Sequence, residues 1–328
     1  MKKLMAAALV LTMVCSVAFA GGGKKDGEQS SSGQKRVVYI ARAQADLFAA
    51  WLANSIKSEA GKYPNLKVDV VDGQADDAKQ NAAIENAITN KYDLIILQPN
   101  DSEAQKPYIR KVVEAKIPII LTNPRVPDAA IQAITNSVDA DPYEQAAVVA
   151  RLALSQIPQD AKVVVLRGPD GNMHSVERRR AWQQEFFDQR SDVTIVGEQS
   201  GHWNKDEGMR YMEDWAQANP QIDAVVSMND NMAMGALEAI KGNPNFSNLL
   251  VYGVDGDAAA ALLIQEGSFT ATAFQNAGEL AKKNMELANQ ILTGTVSAVV
   301  NTDIVCPLYT KDNVAELIAI HKSTGAIK

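Results

Sequence analysis

Short apolar runs alternate with longer amphipathic stretches from about residue 35 to the end of the chain. The runs are rich in β-branched residues and almost continuously apolar, as expected of strands that helices cover on both faces. This alternation predicts repeated βαβ units and therefore parallel sheets. The predicted strands lie at 36–41, 66–71, 93–97 and 117–121, with a weaker fifth at 133–135, and then at 162–167, 193–196, 224–227, 249–254 and 270–274.

Two of the segments between the strands carry clear helix starts. Asp76 precedes an amphipathic stretch that runs to about residue 90, and aspartate is a favoured helix cap. Asp141, Pro142 and Glu144 combine a cap, a first-turn proline and an acid near the positive end of a helix dipole. No fixed repeat of roughly 20 to 50 residues is present, which excludes a solenoid. We predict two doubly wound parallel-sheet α/β lobes.

The beginning of the chain does not follow this alternation. Two lysines precede an apolar run over 4–17, and the small-x-small sequence AFA ends at Ala20, the order of a secretory signal peptide cleaved after Ala20. The apolar run is shorter than the roughly 20 residues of a spanning helix, which disfavours a membrane anchor. Residues 21–34 contain no apolar side chain to bury and are predicted to form a flexible leader.

Charge and cysteine content narrow the choice of partners. The 32 basic and 39 acidic residues give a net charge of -7, and removing the two signal-peptide lysines leaves 30 against 39, or -9. No stripe of lysine and arginine suits a phosphate backbone, which argues against nucleic acid. After cleavage Cys306 has no partner for an intramolecular disulfide. Acylation of Cys15 stays open, although Val14 stands where a small residue is expected.

Ligands of open parallel sheets bind beyond the carboxyl ends of the strands. The residues that follow the predicted strands offer carboxylates, amides, a guanidinium, an imidazole and two aromatic rings: Asp46, Phe48, Asn123, Asn172, His174, Arg178, Trp203, Asn229, Asp255 and Gln275. Carboxylates, amides and guanidinium exchange hydrogen bonds with hydroxyls, and aromatic rings cover apolar C–H faces. This mixture suits a sugar ring.

Each of these residues also has a structural alternative. Asp46 could cap a helix that begins at residue 47, and Asp255 could cap one that begins at residue 258. Arg178 lies in the sequence ERRR, which is typical of a solvated face, and Phe48 and Trp203 could belong to the core. Their joint placement after consecutive strands of two lobes favours a shared site.

The sequence predicts no catalytic centre, metal or cofactor. The chain has no G-x-S-x-G, Walker, G-x-G-x-x-G, H-E-x-x-H or C-x-x-C motif. His174 and His202 lack the neighbouring carboxylate, cysteine and histidine ligands of a zinc site, and His321 lies near the C-terminus. The two D-x-D pairs at Asp139 and Asp255 lack the rest of a calcium loop, so helix caps explain them better.

Three stretches resemble a known family. They are NDNMAMGALEA from Asn229, VYGVD ending at Asp255, and Trp203 followed twelve residues later by Trp215. On these motifs the chain from about Lys35 onward resembles the type I periplasmic sugar-binding proteins of ABC importers, most closely the glucose/galactose-binding branch.

The resemblance implies two discontinuous lobes that close on a sugar by a hinge of three crossings. It places the N-terminal lobe at 35–137 plus 277–299 and the C-terminal lobe at 138–276 plus 300–328. The implied crossings lie near 136–139, 275–278 and 299–303.

The resemblance also implies a role for each candidate residue. Phe48 and Trp203 would sandwich the sugar, and hydroxyls would be bound by Asp46, Asn123, Arg178, Asn229 and Asp255. Gln275 stands where the galactose branch has asparagine and the ribose branch glutamine. Asn172 and His174 replace a histidine and an aspartate of the galactose branch, and 155–160 lacks the acids of its calcium loop.

The implied function is that of a monomeric periplasmic binding protein with no enzymatic activity. It would capture a hexose such as glucose or galactose, or a related pentose, and deliver it to an ABC permease in the inner membrane. Alternatives are a cyclic polyol such as myo-inositol, presentation of sugar to a chemoreceptor, or an exported flavodoxin-like enzyme using His174 and Asp255. Sugar-responsive repressors share the two-lobe core, but the export signal stands where their helix-turn-helix would be.

Overall fold

The computed structural model describes residues 33–328, so the predicted signal peptide, Cys15 and most of the predicted leader lie outside the described residues. The strands are Lys35–Ala41 (β1), Leu66–Asp72 (β2), Leu94–Leu97 (β3), Ile119–Thr122 (β4), Asn136–Asp139 (β5), Lys162–Arg167 (β6), Thr194–Ser200 (β7), Ala224–Ser227 (β8), Leu250–Asp255 (β9), Ala271–Phe274 (β10), Asn301–Asp303 (β11) and Leu308–Thr310 (β12). The α-helices are Leu47–Ala60 (α1), Asp77–Thr89 (α2), Ser102–Glu114 (α3), Ala129–Gln132 (α4), Pro142–Gln156 (α5), Met173–Glu185 (α6), Lys205–Ala218 (α7), Asp230–Ala239 (α8), Ala258–Glu266 (α9), Ala277–Leu292 (α10) and Val314–Ser323 (α11).

The strands form two six-stranded sheets. Their orders are β11-β5-β4-β3-β1-β2 and β12-β10-β9-β8-β6-β7. Every pairing in the first sheet is parallel, and in the second only β10 with β12 is antiparallel. The prediction of two parallel-sheet α/β lobes is therefore confirmed.

Helices cover both faces of the first sheet, which explains its apolar strands. Because side chains alternate along a strand, Val37 and Tyr39 pack into one apolar cluster and Val38 and Ile40 into another on the opposite face. Helix α1 covers the first of these faces, with buried residues at a four-residue spacing that includes Phe48. The second lobe has one large core cluster.

The predicted caps are present. The carboxylate of Asp76 accepts a hydrogen bond from the backbone N–H of Lys79, and that of Asp141 from Tyr143. Among the described helices, none combines the length and apolar character that a membrane crossing requires.

Some strand predictions need correction. The strand predicted at 133–135 is wrong, because this segment follows α4 and β5 begins only at Asn136. Strands β11 and β12 are absent from the prediction because their sequences, NTD and LYT, contain no apolar run. Strand β7 continues to Ser200, four residues past its predicted end, as a partly exposed edge strand.

The chain passes between the lobes three times, at 140–141, 275–276 and 304–307. The predicted lobe boundaries at 138 and 300, and the crossings at 136–139 and 299–303, fall too early in the sequence. The reason is that β5 and β11 pair with each other in the first sheet, with Ser137 opposite Asn301 and Asp139 opposite Asp303. The predicted crossing at 275–278 overlaps the observed one.

Candidate functional site

One cavity between the lobes brings together all ten residues that the sequence singled out. It is lined by these ten residues together with Arg42 and Gln98. Arg42 directly follows β1 and Gln98 directly follows β3, so the rule that ligands bind beyond strand ends also selects these two residues, which the sequence analysis missed.

Arg178 lies at the centre of a buried hydrogen-bond network. Its Nε and Nη2 donate to Oε1 of Gln145, and its Nη1 donates to the carbonyl oxygen of Met228 at 2.5 Å. Nη2 also lies 3.1 Å from Oδ1 of Asp255 and 2.6 Å from Oε1 of Gln275. The ERRR sequence therefore does not place Arg178 on a solvated face.

Asp46 and Arg42 form a nearly buried ion pair in the first lobe. Nη2 of Arg42 lies 2.7 Å from Oδ2 of Asp46. The other carboxylate oxygen of Asp46 accepts from the backbone N–H of Ala49 and caps α1. Asp46 is thus both the predicted helix cap and a residue of the cavity.

Two hydrogen bonds connect the lobes at the site. The Gln275 side-chain amide donates to Oδ1 of Asn123 at 2.8 Å, beside the second crossing. The Asn172 amide donates to the carbonyl oxygen of Asn100 at 3.0 Å. Oδ1 of Asn172 accepts the backbone N–H of His174 and caps α6, so both polar atoms of this amide already have protein partners.

His174 presents a neutral imidazole to the cavity. Burial, together with the nearby cations Arg178 and Arg42, holds the pKa of His174 well below its usual range. Its Nε2 is buried and has no hydrogen-bond partner in the part of the chain that the structure describes. This nitrogen is available to a ligand.

The two aromatic rings of the site pack against neighbouring residues of the protein. The Trp203 ring lies against the α-carbon side of Gly168, where a Cβ would come within 2.1 Å of Cζ2. Trp203 has a left-handed backbone, with φ of 64°, and its carbonyl oxygen accepts from the side-chain amide of Asn231. Phe48 packs edge-on against Trp51, with ring centroids 5.9 Å apart.

Asp255 ends β9 in an unusual backbone conformation, with φ of 119°. Burial raises the pKa of Asp255 well above its usual range, while Arg178 opposes this rise. The following turn is fixed by buried Asp230, whose carboxylate accepts from the hydroxyl of Thr272 and from the backbone N–H of Asp257. The predicted capping role of Asp255 is wrong, because the residue at the start of α9 is Asp257.

Asn229 completes the second-lobe side of the site. It follows β8, and its Oδ1 accepts the backbone N–H of Met232, so it caps α8 while lining the cavity. Within residues 33–328 no group of three or more histidine, cysteine, aspartate and glutamate side chains is arranged to hold a metal ion.

The sequence from residue 37 to residue 295 matches the periplasmic binding protein domain family. This span covers well over half of the chain. The chain belongs to the periplasmic binding proteins. Because proteins of this family bind substrates rather than convert them, the binding protein is not an enzyme, and the enzyme alternative falls away.

Relatives of the binding protein agree with this assignment over most of its length. The ribose import binding protein of Bacillus subtilis is 29% identical over 297 residues, which cover 90% of this chain and 94% of that protein. A putative rhizopine-binding protein of Rhizobium meliloti is 27% identical over 83% of this chain and 88% of its own.

A solved structure shows the same fold. An ABC transporter solute binding protein from Bacillus halodurans with bound myo-inositol has a TM-score of 0.82 and 27% identity, covering 88% of this chain and 99% of that one. These comparisons confirm the resemblance to type I periplasmic sugar-binding proteins of ABC transporters. A position nearest the glucose/galactose branch stays a prediction.

Proposed function

We propose that the binding protein captures a single uncharged sugar or cyclic polyol between its two lobes and presents it to an ABC permease. The observation that carries this proposal is the common cavity, because residues from both lobes line one space. Most of the lining residues carry polar side chains, which suits a small polar ligand.

The chemistry of the lining supports a polyhydroxylated ring. In the proposal, Phe48 and Trp203 cover the two faces of the ring, since stacked aromatic side chains suit apolar C–H surfaces. The edge of the ring meets carboxylate, amide and imidazole groups that exchange hydrogen bonds with hydroxyls: Asp46, Asn123, His174, Asn229, Asp255 and Gln275. A ligand that contacts both lobes binds the closed state more tightly and shifts the population toward it.

The names of the relatives support two ligand classes. A pentose is supported by the ribose import protein, and a cyclic polyol by the solved structure with myo-inositol. Both classes present a ring of hydroxyls of similar size. The proposal therefore includes a hexose such as glucose or galactose, a pentose, and myo-inositol as candidates.

The proposal extends to location and partners. Family membership supports a periplasmic site of action, and the N-terminal sequence supports export with cleavage after Ala20. An ABC permease is the proposed receiver of the closed form, and we propose that the protein acts as a monomer. Presentation of the ligand to a chemoreceptor stays a prediction.

A thermal-shift screen tests the proposal. The mature protein is heated with D-glucose, D-galactose, D-xylose, D-ribose and myo-inositol in turn, and calorimetry then gives the affinity of any ligand that raises Tm. A ligand at 100 times its Kd stabilises the native state by about 2.7 kcal/mol. We expect at least one clear increase, and no increase with any of the five would contradict the proposal.

A matched pair of tryptophan variants locates the binding. Trp203→Ala should weaken binding by roughly 2 kcal/mol or more, as loss of a buried aromatic anchor does. Trp215→Ala is the control, because Trp215 stacks on Tyr211 away from the cavity. Equal affinities of the two folded variants would contradict the placement of the sugar against Trp203.

A further inference from the structure

Arg42 is the cavity residue with the most unused hydrogen-bonding capacity. This residue is 6% exposed, and its side chain lines the cavity. Only Nη2 of its guanidinium has a partner among residues 33–328, namely the carboxylate of Asp46. The N–H groups on Nε and Nη1 therefore have no protein acceptor there and can donate to a ligand.

Arg178 differs from Arg42 in this respect. All three of its nitrogens donate to protein acceptors, which come from Gln145, Met228, Asp255 and Gln275. Arg178 is therefore largely occupied in holding the second lobe of the site together. The unoccupied cationic donors of the cavity belong to Arg42.

The backbone around Arg42 is fixed by its neighbours. Oε1 of Gln98 accepts from the backbone N–H of Arg42 at 3.0 Å and from the hydroxyl of Tyr39 at 3.1 Å. The carbonyl oxygen of Arg42 accepts from the backbone N–H of Ala75. The guanidinium is thus presented from a rigid base, as selective recognition requires.

The ion pair presents donors and acceptors side by side. Each carboxylate oxygen of Asp46 has one protein partner and can accept a further hydrogen bond, while Arg42 can still donate. Two adjacent hydroxyls match this arrangement, because one accepts from Arg42 while the other donates to Asp46. A ligand carboxylate would bring a second negative charge beside Asp46, and like-charge contacts oppose binding.

We propose that Arg42 is a specificity-determining residue that, with Asp46, binds two adjacent hydroxyls of an uncharged ring and disfavours sugar acids. This inference rests on the proposed sugar-binding function and goes beyond it, because it assigns a residue and the charge class of the ligand.

Calorimetry with D-glucose, D-ribose, myo-inositol and D-glucuronate tests the inference on the mature protein. We expect the wild type to bind at least one neutral compound and to bind glucuronate more weakly than that compound. Arg42→Met should weaken binding of the neutral ligand about 10- to 100-fold, the range for hydrogen bonds to a charged group. Arg36→Met, at the other end of β1 and outside the cavity, is the control and should match the wild type.

Two further variants separate recognition from folding. Arg42→Lys retains a charge beside Asp46 but loses the planar fork, so its affinity for the neutral ligand should fall about tenfold even if Arg42→Met does not fold. Asp46→Asn removes the competing carboxylate, so the ratio of glucuronate affinity to neutral-ligand affinity should rise about tenfold. A purely structural role for the pair would not raise this ratio.

The outcomes distinguish the inference from the proposed function. Wild-type affinity in Arg42→Lys, or wild-type preference for glucuronate, would overturn the role of Arg42 while leaving sugar binding in place. An unchanged affinity ratio in folded Asp46→Asn would overturn it as well. A wild type that binds none of the neutral compounds would contradict the proposed function and remove the basis of the inference.

Discussion

Replacing Arg178 with methionine should weaken both the second lobe and ligand binding. The guanidinium makes five hydrogen bonds of 2.5–3.1 Å to acceptors on Gln145, Met228, Asp255 and Gln275. These residues lie in α5, directly after β8, at the end of β9 and in the second crossing. Methionine fills a similar volume but offers none of these donors.

The expected cost follows from the charge left behind. Removing one member of a buried ion pair costs about 3–5 kcal/mol, because the other charge stays buried without its partner. A loss of 1 kcal/mol lowers Tm by about 2–4 °C in a domain of 150–250 residues, so we expect a decrease of roughly 6–20 °C. Arg180→Met is the matched control, since its exposed pair with Glu177 contributes about 0–1 kcal/mol.

The effect should depend on pH. Burial raises the pKa of Asp255, and Arg178 limits that rise. An acid whose pKa is raised on folding binds its proton more tightly in the native state, so stability decreases as pH rises from the unfolded pKa towards the folded one. Without Arg178 the folded pKa moves higher, and the decrease in Tm relative to the wild type should grow with pH.

Melting monitored by circular dichroism at pH 5 and pH 8, with calorimetry for ligand binding, tests this reasoning. The double variant Arg178→Met/Asp255→Asn lacks the unpaired charge, so it should recover part of the lost Tm and remain unable to bind. A decrease below about 2 °C, or one that is equal at the two pH values, would refute the ion-pair account of this network.

Two further substitutions probe the ring and the turn beside the site. Gly168→Ala places a carbon 2.1 Å from Cζ2 of Trp203, so the ring must move and the sugar affinity measured by calorimetry should fall about tenfold or more. The control is Gly61→Ala, at an exposed position, which should leave the affinity unchanged. Unchanged affinity in Gly168→Ala would argue against stacking of the sugar on this ring. Burial raises the pKa of Asp257 to about 7, and Oδ2 of this residue is buried with no partner among the described residues. Between about pH 4 and pH 7 this carboxyl is ionised in the unfolded chain but holds its proton in the folded protein. The free energy of unfolding therefore decreases as the pH rises through this range. Asp257→Asn should melt at a higher temperature than the wild type, by a margin that grows between these two pH values and then stays constant; a margin that shrinks with rising pH would contradict the assignment.

The sequence predicts those strands that are buried on both faces, because their sequences are short apolar runs. Strands β3, β4 and β8 are completely buried, and their sequences LIIL, IILT and AVVS are dominated by apolar residues. Strand β11 has the polar sequence NTD and exists because it pairs with β5 across more than 160 residues of sequence. Such pairing is set by tertiary structure, and two of the three crossings implied by the family resemblance fall two to five residues too early.

The site was accessible because strand ends converge in an open parallel sheet. That rule selects Arg42 as readily as Asp46, since both residues follow β1 and line the cavity. The sequence could not predict which hydrogen bonds each side chain makes. Asn172 illustrates this limit, because its amide is shared between the cap of α6 and the carbonyl oxygen of Asn100 in the other lobe.

The bonds between the lobes bear on how a ligand drives closure. Asn172 donates to Asn100 far along the chain from the crossings, so opening the cleft should break this bond, whereas the bond from Gln275 to Asn123 lies beside the second crossing. One such bond contributes about 0.5–1.5 kcal/mol. This contact therefore stabilises the closed state only modestly. A ligand must bind the closed state about 5.5 kcal/mol more tightly than the open state to move the closed-to-open ratio from 1:99 to 99:1. We infer that Asn172 contributes to binding through closure, and that most of the selectivity resides in groups with unused hydrogen-bonding capacity, above all Arg42 and His174.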